Sequence, residues 1–400
     1  MLDVITVDEA IKTVEDNFCR ITGTETVAVS AAAGRVSAND VTAEENLPPF
    51  SRSVMDGYAL IASDTYGASE AVPAMLDISG EVFMGKEADT VITNGKCVRI
   101  PTGGMLPGGA NAVIPVENTE EDNGVCLVYK SVSVNENITR AGDDIKEGSV
   151  ILRKGTVITP AHAGLLACAG FSHTEVVKRP LIGIISTGNE ISPVDIKPAP
   201  GMVRDVNSHL LAAQCSSFGC DTAFYGIIKD DYNEIFTAVN KALSECDAVL
   251  ISGGSSAGLK DMTAGIIENA GTVLAHGIAM KPGKPTILGK AGNKPVIGLP
   301  GHPAACFFVT EIIVRKIIDV LLGKESRSIT KEFICDDNIS SNHGREEFVC
   351  VKTDGERAVP VYGKSGLMSV ICQSDGYIRI GRNLEGIQKG DKVTVYLFDR

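Results

Sequence analysis

Residues 181–190 read LIGIISTGNE, and residues 248–261 read AVLISGGSSAGLKD. Each is a short apolar run that ends in a polar, glycine-rich turn. Residues 296–303, VIGLPGHP, repeat the form and lead into a helical stretch at 302–322. Strands apolar on both faces belong to a sheet covered on both sides. Further apolar runs stand at 223–228, 272–277 and 286–289, with helix-period segments at 205–218, 231–245 and 261–270. This alternation predicts a central doubly wound parallel α/β domain. Such sheets bind ligands beyond the carboxyl ends of their strands, where the three turns lie.

The texture changes on either side. Thr6 and Glu9 form a capping-box pattern that opens a helix over 7–19. From about 26 to 175, short Val/Ile/Thr runs alternate with Gly, Asn and Asp, at 78–83, 96–100, 111–116, 125–134 and 149–152. These predict β-rich structure in more than one piece, with one helix at 160–169. After Lys324 the pattern is β again and predicts a small C-terminal β domain.

Composition excludes several classes. Lys+Arg 37 against Asp+Glu 50 leaves a net charge of −13 with no basic block, which argues against nucleic-acid or membrane-surface binding. Trp is absent, so there is little material for aromatic stacking platforms. The eleven Cys form no C-x-x-C pair and read as reduced thiols. The N-terminus lacks a signal-peptide pattern, and 303–322 is interrupted by Glu311, Arg315, Lys316 and Asp319. The expected location is the cytoplasm.

The turns point to an anionic ligand. Glycines allow close backbone approach, and successive N–H groups before a helix attract phosphates. Neither a P-loop nor a dinucleotide fingerprint is present. Asp56, Glu190, Asp205 and Asp261 stand in turns. If they converge, a hard cation such as Mg²⁺ would offset their repulsion and bridge to substrate phosphate. Lys281 and Lys284 flank a Pro-Gly turn whose prolines restrict the backbone, which suits a tetrahedral oxyanion.

Taken in order, these motifs resemble the MoeA/gephyrin E-domain family, the molybdopterin molybdenumtransferases. The matching stretches include 55–59 (MDGYA), 99–103 (RIPTG), 107–110, 141–145 (AGDDI) and 186–190 (STGNE). They continue through the turn at 253–261, 281–285 (KPGKP), 298–301 (GLPG), 344–348 (GREEF) and 363–366 (GKSG). The resemblance implies an enzyme that inserts molybdate into adenylated molybdopterin and releases AMP with Mg²⁺. It implies a homodimer of elongated four-domain chains, with a molybdopterin adenylyltransferase as a further partner. The implied division is 1–25 plus 178–325 for a molybdopterin-binding α/β domain like that of the adenylyltransferases. A β-rich linking domain takes 26–45 plus 140–177, an inserted β-rich domain 46–139, and a C-terminal β domain 326–400.

By the same resemblance Asp56, Glu190, Asp205 and Asp261 are the acidic, metal-binding residues, and Thr102 is an active-site threonine. Lys281, Lys284, Arg345 and Ser365 hold molybdate. Ser186, Thr187, Gly188, Gly253, Gly254, Ser255, Ser256, Gly258 and Gly301 cradle the pterin phosphate, and Pro300 and Pro303 shape the pocket. The chain departs from the usual family pattern at Asn189, Val206, Ala264, His302 and Ala305. These departures leave two alternatives, a tungstate-preferring paralogue and a non-catalytic dimeric scaffold of the gephyrin type. A related nucleotidyl or pterin transferase acting on another substrate is a third.

Overall fold

The computed structural model describes residues 4–253, 257–326, 328–363 and 368–398, and for 257–261 only the helical backbone. Six strands form the central sheet, in the spatial order Asp221–Ile228, Leu181–Thr187, Ala248–Ser252, Lys294–Leu299, Ile287–Ala291 and Thr272–His276. The first four run parallel. The last two run antiparallel to their neighbours, so the sheet is mixed at one edge. The reason is local. Only Gly292 and Asn293 separate the paired residues Ala291 and Lys294, and so short a link can join only antiparallel strands.

The strands alternate strictly. Ile182, Ile184, Leu250, Ile297 and Leu299 face one layer, while Ile185, Val249, Ile251 and Val296 face the other. The first layer contains helix α1 (Val7–Asn17) and, later in the chain, α3 (Asn207–Ser217), α6 (Pro303–Val309) and α7 (Arg315–Leu322). The second contains α4 (Tyr232–Glu245) and α5 (Ala257–Ala270). The helix expected over 302–322 is divided by a π-helical turn at Thr310–Val314. Helix α1 lies against α7, and Val7, Ala10 and Val14 enter the same core as Ile317 and Leu321. Its capping box is present, with Glu9 N–H donating to Thr6 Oγ1 at 3.2 Å and Thr6 N–H to Glu9 Oε2 at 2.8 Å.

Between α1 and this sheet the chain is β-rich. Thr24–Ala28 pairs antiparallel with His173–Val177 over a small core of Val29, Leu152, Ile158, Leu166 and Val176. Helix α2 (Pro160–Cys168), with Pro160 in its first turn, packs there. A second six-stranded sheet runs Ala112–Pro115, Gly57–Leu60, Lys96–Ile100, Ala74–Glu81, Val125–Val128, Thr119–Asp122. The runs expected at 78–83 and 125–134 therefore begin earlier and stop sooner, respectively.

The last segment is a ring of five strands: Glu346–Asp354, Arg357–Pro360, Thr330–Cys335, Lys392–Leu397 and Gly376–Ile380, closed by pairing of the first with the last. Met280–Lys281 adds to it, parallel to Glu346–Asp354. The α/β layer thus lends an edge to the C-terminal ring. Phe348 and Tyr377 of the ring pack around Phe308 of α6.

Arg379 ties the ring to α1. It donates to the buried Glu346 carboxylate and to Asp8 Oδ1 at 2.7 Å. Removing one partner of a buried pair leaves the other charge uncompensated, at a cost of about 3 kcal/mol. Arg379→Met should lower unfolding free energy by about that amount in denaturant titration. A loss under about 0.5 kcal/mol, the size of a surface pair, would show that the tie carries little.

Candidate active site

The carboxyl ends of three parallel strands lie side by side, because Ser186 pairs with Ser252 and Ser252 with Leu299. The following turns open a cleft of about 480 Å³ lined by Ser186, Thr187, Glu190, Asp205, Gly253 and Gly301, among others. Gly253 has φ +146°, and a Cβ there would lie 2.1 Å from Thr187 Oγ1. Only glycine lets these two strand ends approach so closely.

Buried polar side chains brace the cleft. Asp205 is 4 % exposed. Its Oδ2 accepts from Ser186 Oγ at 2.9 Å, and its Oδ1 accepts from Ser208 N–H at 3.1 Å, which helps cap α3. Asn207 Nδ2 donates to Ser252 Oγ at 2.8 Å and to the Gly301 carbonyl at 3.0 Å. One amide thus spans two strand ends and the first turn of α3. Its Oδ1 is buried without a hydrogen-bond partner among the described residues.

Beside the cleft, Asn189 N–H donates to Asp230 Oδ2 at 3.3 Å, and Asp230 N–H donates back to Asn189 Oδ1 at 3.3 Å. Burial, reinforced by the negative charge of Glu190, pushes the Asp230 carboxyl above its ordinary value despite the Asn189 N–H. Asp230 Oδ1 is buried and has no hydrogen-bond partner among the described residues.

A larger cavity, about 760 Å³, opens between the α/β layer and the C-terminal ring. Lys281, Lys284, Arg345 and Glu347 line it, with Pro300, His302 and Ala305. His302 also lines the strand-end cleft, so the two spaces adjoin. The turn that carries the lysines is held by Thr286 Oγ1 donating to the Gly283 carbonyl at 2.7 Å. Gly283 has φ +123° and sits so close to Val309 that a Cβ would meet its Cγ2 at 2.7 Å.

Asp56 and Thr102 lie elsewhere in the chain. Asp56 Oδ1 accepts from Thr102 N–H at 2.7 Å and Thr102 Oγ1 at 2.9 Å, which holds its carboxyl below the usual range. Asp56 lines a separate hollow of about 280 Å³ with Glu81 and Arg99. Within one chain Asp56 therefore lies apart from Glu190 and Asp205. Among the described residues no group of three or more His, Cys, Asp and Glu side chains is arranged to hold a metal ion. Gly254, Ser255, Ser256 and Ser365 lie outside the described residues, as does the side chain of Asp261, and Gly258 is described only as helical backbone. Asn207 and Glu347 line the site without having been singled out as site residues, although Glu347 lies within the 344–348 stretch, and Asp230 stands beside it. Asp230 could have been noticed only as the extra acid beside Asp231, which caps α4 by accepting from Glu234 N–H.

Three family models match this chain in succession. The MoeA N-terminal region (domains I and II) matches residues 5–170, a probable molybdopterin binding domain 183–320, and the MoeA C-terminal region (domain IV) 333–398. A molybdopterin molybdenumtransferase of Bacillus subtilis is 32% identical over 404 residues, covering 98% of this chain and 94% of its own. The chain belongs to the MoeA family, the molybdopterin molybdenumtransferases. A Haemophilus influenzae protein of the same name is 30% identical, with 99% of both chains covered. The crystal structure of a MoeA protein of molybdopterin biosynthesis from Pyrococcus horikoshii superposes with a TM-score of 0.90 at 32% identity, covering 99% of this chain and 100% of that one. The MoeA fold accounts for the mixed architecture, with an α/β layer, β-rich segments before it and a β ring after it.

Proposed function

We propose that this MoeA-family chain inserts molybdate into adenylated molybdopterin and releases AMP, with Mg²⁺ bound at the cleft. The observation that carries this reading is the junction at His302. On one side lie three cationic side chains, Lys281, Lys284 and Arg345, suited to a tetrahedral dianion. On the other lie strand-end turns and carboxylates suited to a phosphate-bearing ligand.

The residues present fit a divalent cation. Mg²⁺ takes one or two carboxylates and completes its shell with water and substrate phosphate. Glu190, which lines the cleft, is the carboxylate placed for this, with Asp230 near enough to feel its charge. Asp205 is better read as a structural brace, because both its oxygens already accept hydrogen bonds. When bound, the cation would neutralise charge on the phosphoanhydride. The chain's own residues would do the rest by positioning. Ser186, Thr187, Gly253 and Gly301 frame the ligand, and the Asn207 brace holds the frame. Lys281, Lys284 and Arg345 keep the oxyanion beside it, so no protein nucleophile is required.

In this reading Asp56 and Thr102 would reach the cleft from a second copy of the chain, since within one chain Asp56 lines a separate hollow. The homodimer then has a catalytic reason. A molybdopterin adenylyltransferase would supply the nucleotide, and the cytoplasm suits both enzymes.

Single-turnover conversion of adenylated molybdopterin, with Mg²⁺ and either molybdate or tungstate, tests the reading. AMP release should depend on the oxyanion and fall about 100-fold or more in Glu190→Gln. Tight binding of the pterin nucleotide without AMP release would instead favour a non-catalytic scaffold.

A further inference from the structure

The oxyanion cavity contains a carboxylate that an anion site would be expected to exclude. Glu347 lines the same cavity as Lys281, Lys284 and Arg345. Its Oε1 lies 2.7 Å from Lys281 Nζ, and its Oε2 accepts from Ser341 Oγ at 3.0 Å. The contact is built into the backbone. Lys281 and Glu347 are directly paired in the parallel ladder that joins the α/β layer to the C-terminal ring. The Glu347 side chain is 14% exposed, against 45% for Lys281, so the lysine is the partner free to move.

We propose that Glu347 is a built-in competitor of the oxyanion: it holds Lys281 until the dianion arrives and takes the ammonium over. This deepens the oxyanion reading and rests on it. Two consequences follow from elementary electrostatics. A dianion must displace the lysine from a carboxylate, so only ligands of sufficient charge gain its full contact. The carboxylate that remains repels the bound anion, which weakens binding and favours its release into the adjoining cleft. Ser341 keeps Glu347 facing the lysine and so sets the strength of the competition. Glu347 is thus a positioning residue that acts through Lys281.

Calorimetric titration of molybdate into the full chain, in phosphate-free buffer, tests this with four proteins: unaltered, Glu347→Gln, Ser341→Ala and Lys284→Ala. Glu347→Gln should bind molybdate about tenfold or more tightly, since it removes both the competitor and the repulsion. Ser341→Ala should tighten binding less, and it guards against a folding defect in the first variant. A merely structural carboxylate would give the opposite sign, with equal or weaker binding in both variants. That result, with Lys284→Ala still weakened, would overturn the proposal and leave the oxyanion site standing. If the unaltered chain and Lys284→Ala bind molybdate equally, the oxyanion site itself is wrong and the competition falls with it.

Discussion

Gly253→Ala should lower turnover about 100-fold or more and destabilise the protein by about 3 kcal/mol or more. The position ends the strand Ala248–Ser252, and its backbone occupies φ +146°. An added Cβ would lie 2.1 Å from Thr187 Oγ1 and 2.3 Å from the Thr187 carbonyl oxygen. The side-chain oxygen could rotate away, but the carbonyl could not. It belongs to the neighbouring strand, which is held in register by the pairing of Ser186 with Ser252. The two strand ends would have to part by more than 1 Å to restore normal contact. A displacement of about that size at a positioning site costs on the order of 100-fold in rate even where the fold survives. Denaturant unfolding and single-turnover AMP release measure the two effects separately. A variant with the stability and rate of the unaltered chain would show that the strand ends are not held as closely as described.

Asn207→Ala has the next largest expected effect, about 2 kcal/mol in stability and about 100-fold in rate. Its Nδ2 is the donor shared by Ser252 Oγ and the Gly301 carbonyl, with a longer contact of 3.5 Å to the Pro300 carbonyl. Asn207 is 8 % exposed, so the truncated site would be left with poorly solvated acceptors. The rate should fall because Gly301 and His302 line the cleft and would lose their tie to α3. Asn207→Asp separates hydrogen bonding from shape. It has the same size but presents a charged acceptor to the Gly301 carbonyl, so it should be at least as damaging. If it keeps full activity, the donor geometry is not what holds the cleft.

Much of the architecture was legible because its causes are local. The apolar run that holds Ile182, Ile184 and Ile185 needs cover on both faces of its strand, and the two faces appear as two separate cores. The Thr6–Glu9 box was readable because both its hydrogen bonds form within one helical turn. The lysine pair could be picked out because its prolines lie between and beside the two charges. Less local features slipped. The antiparallel edge came from a two-residue link, and the π-helical turn inside 302–322 left no mark on an apolar periodicity that remained helical.

Within the site, residue chemistry was legible and residue partnership was not. Asp205 reads from sequence as an acid in a turn, yet burial places both its oxygens against donors of the chain. Asp230 reads as a second acid next to a helix cap, yet the fold sets it against Asn189 and Glu190. Asp56 and Glu190 look alike in sequence but lie on different surfaces of one chain. By itself the sequence determined which strands end in ligand-approachable turns, where the cations sit and which family the motifs resemble, since each depends on neighbouring residues. Only the tertiary structure decided that Asp205 is held by two donors of the chain and that Asp56 lies apart from Glu190. Both depend on donors and burial supplied by distant parts of the chain, and no local spacing encodes them.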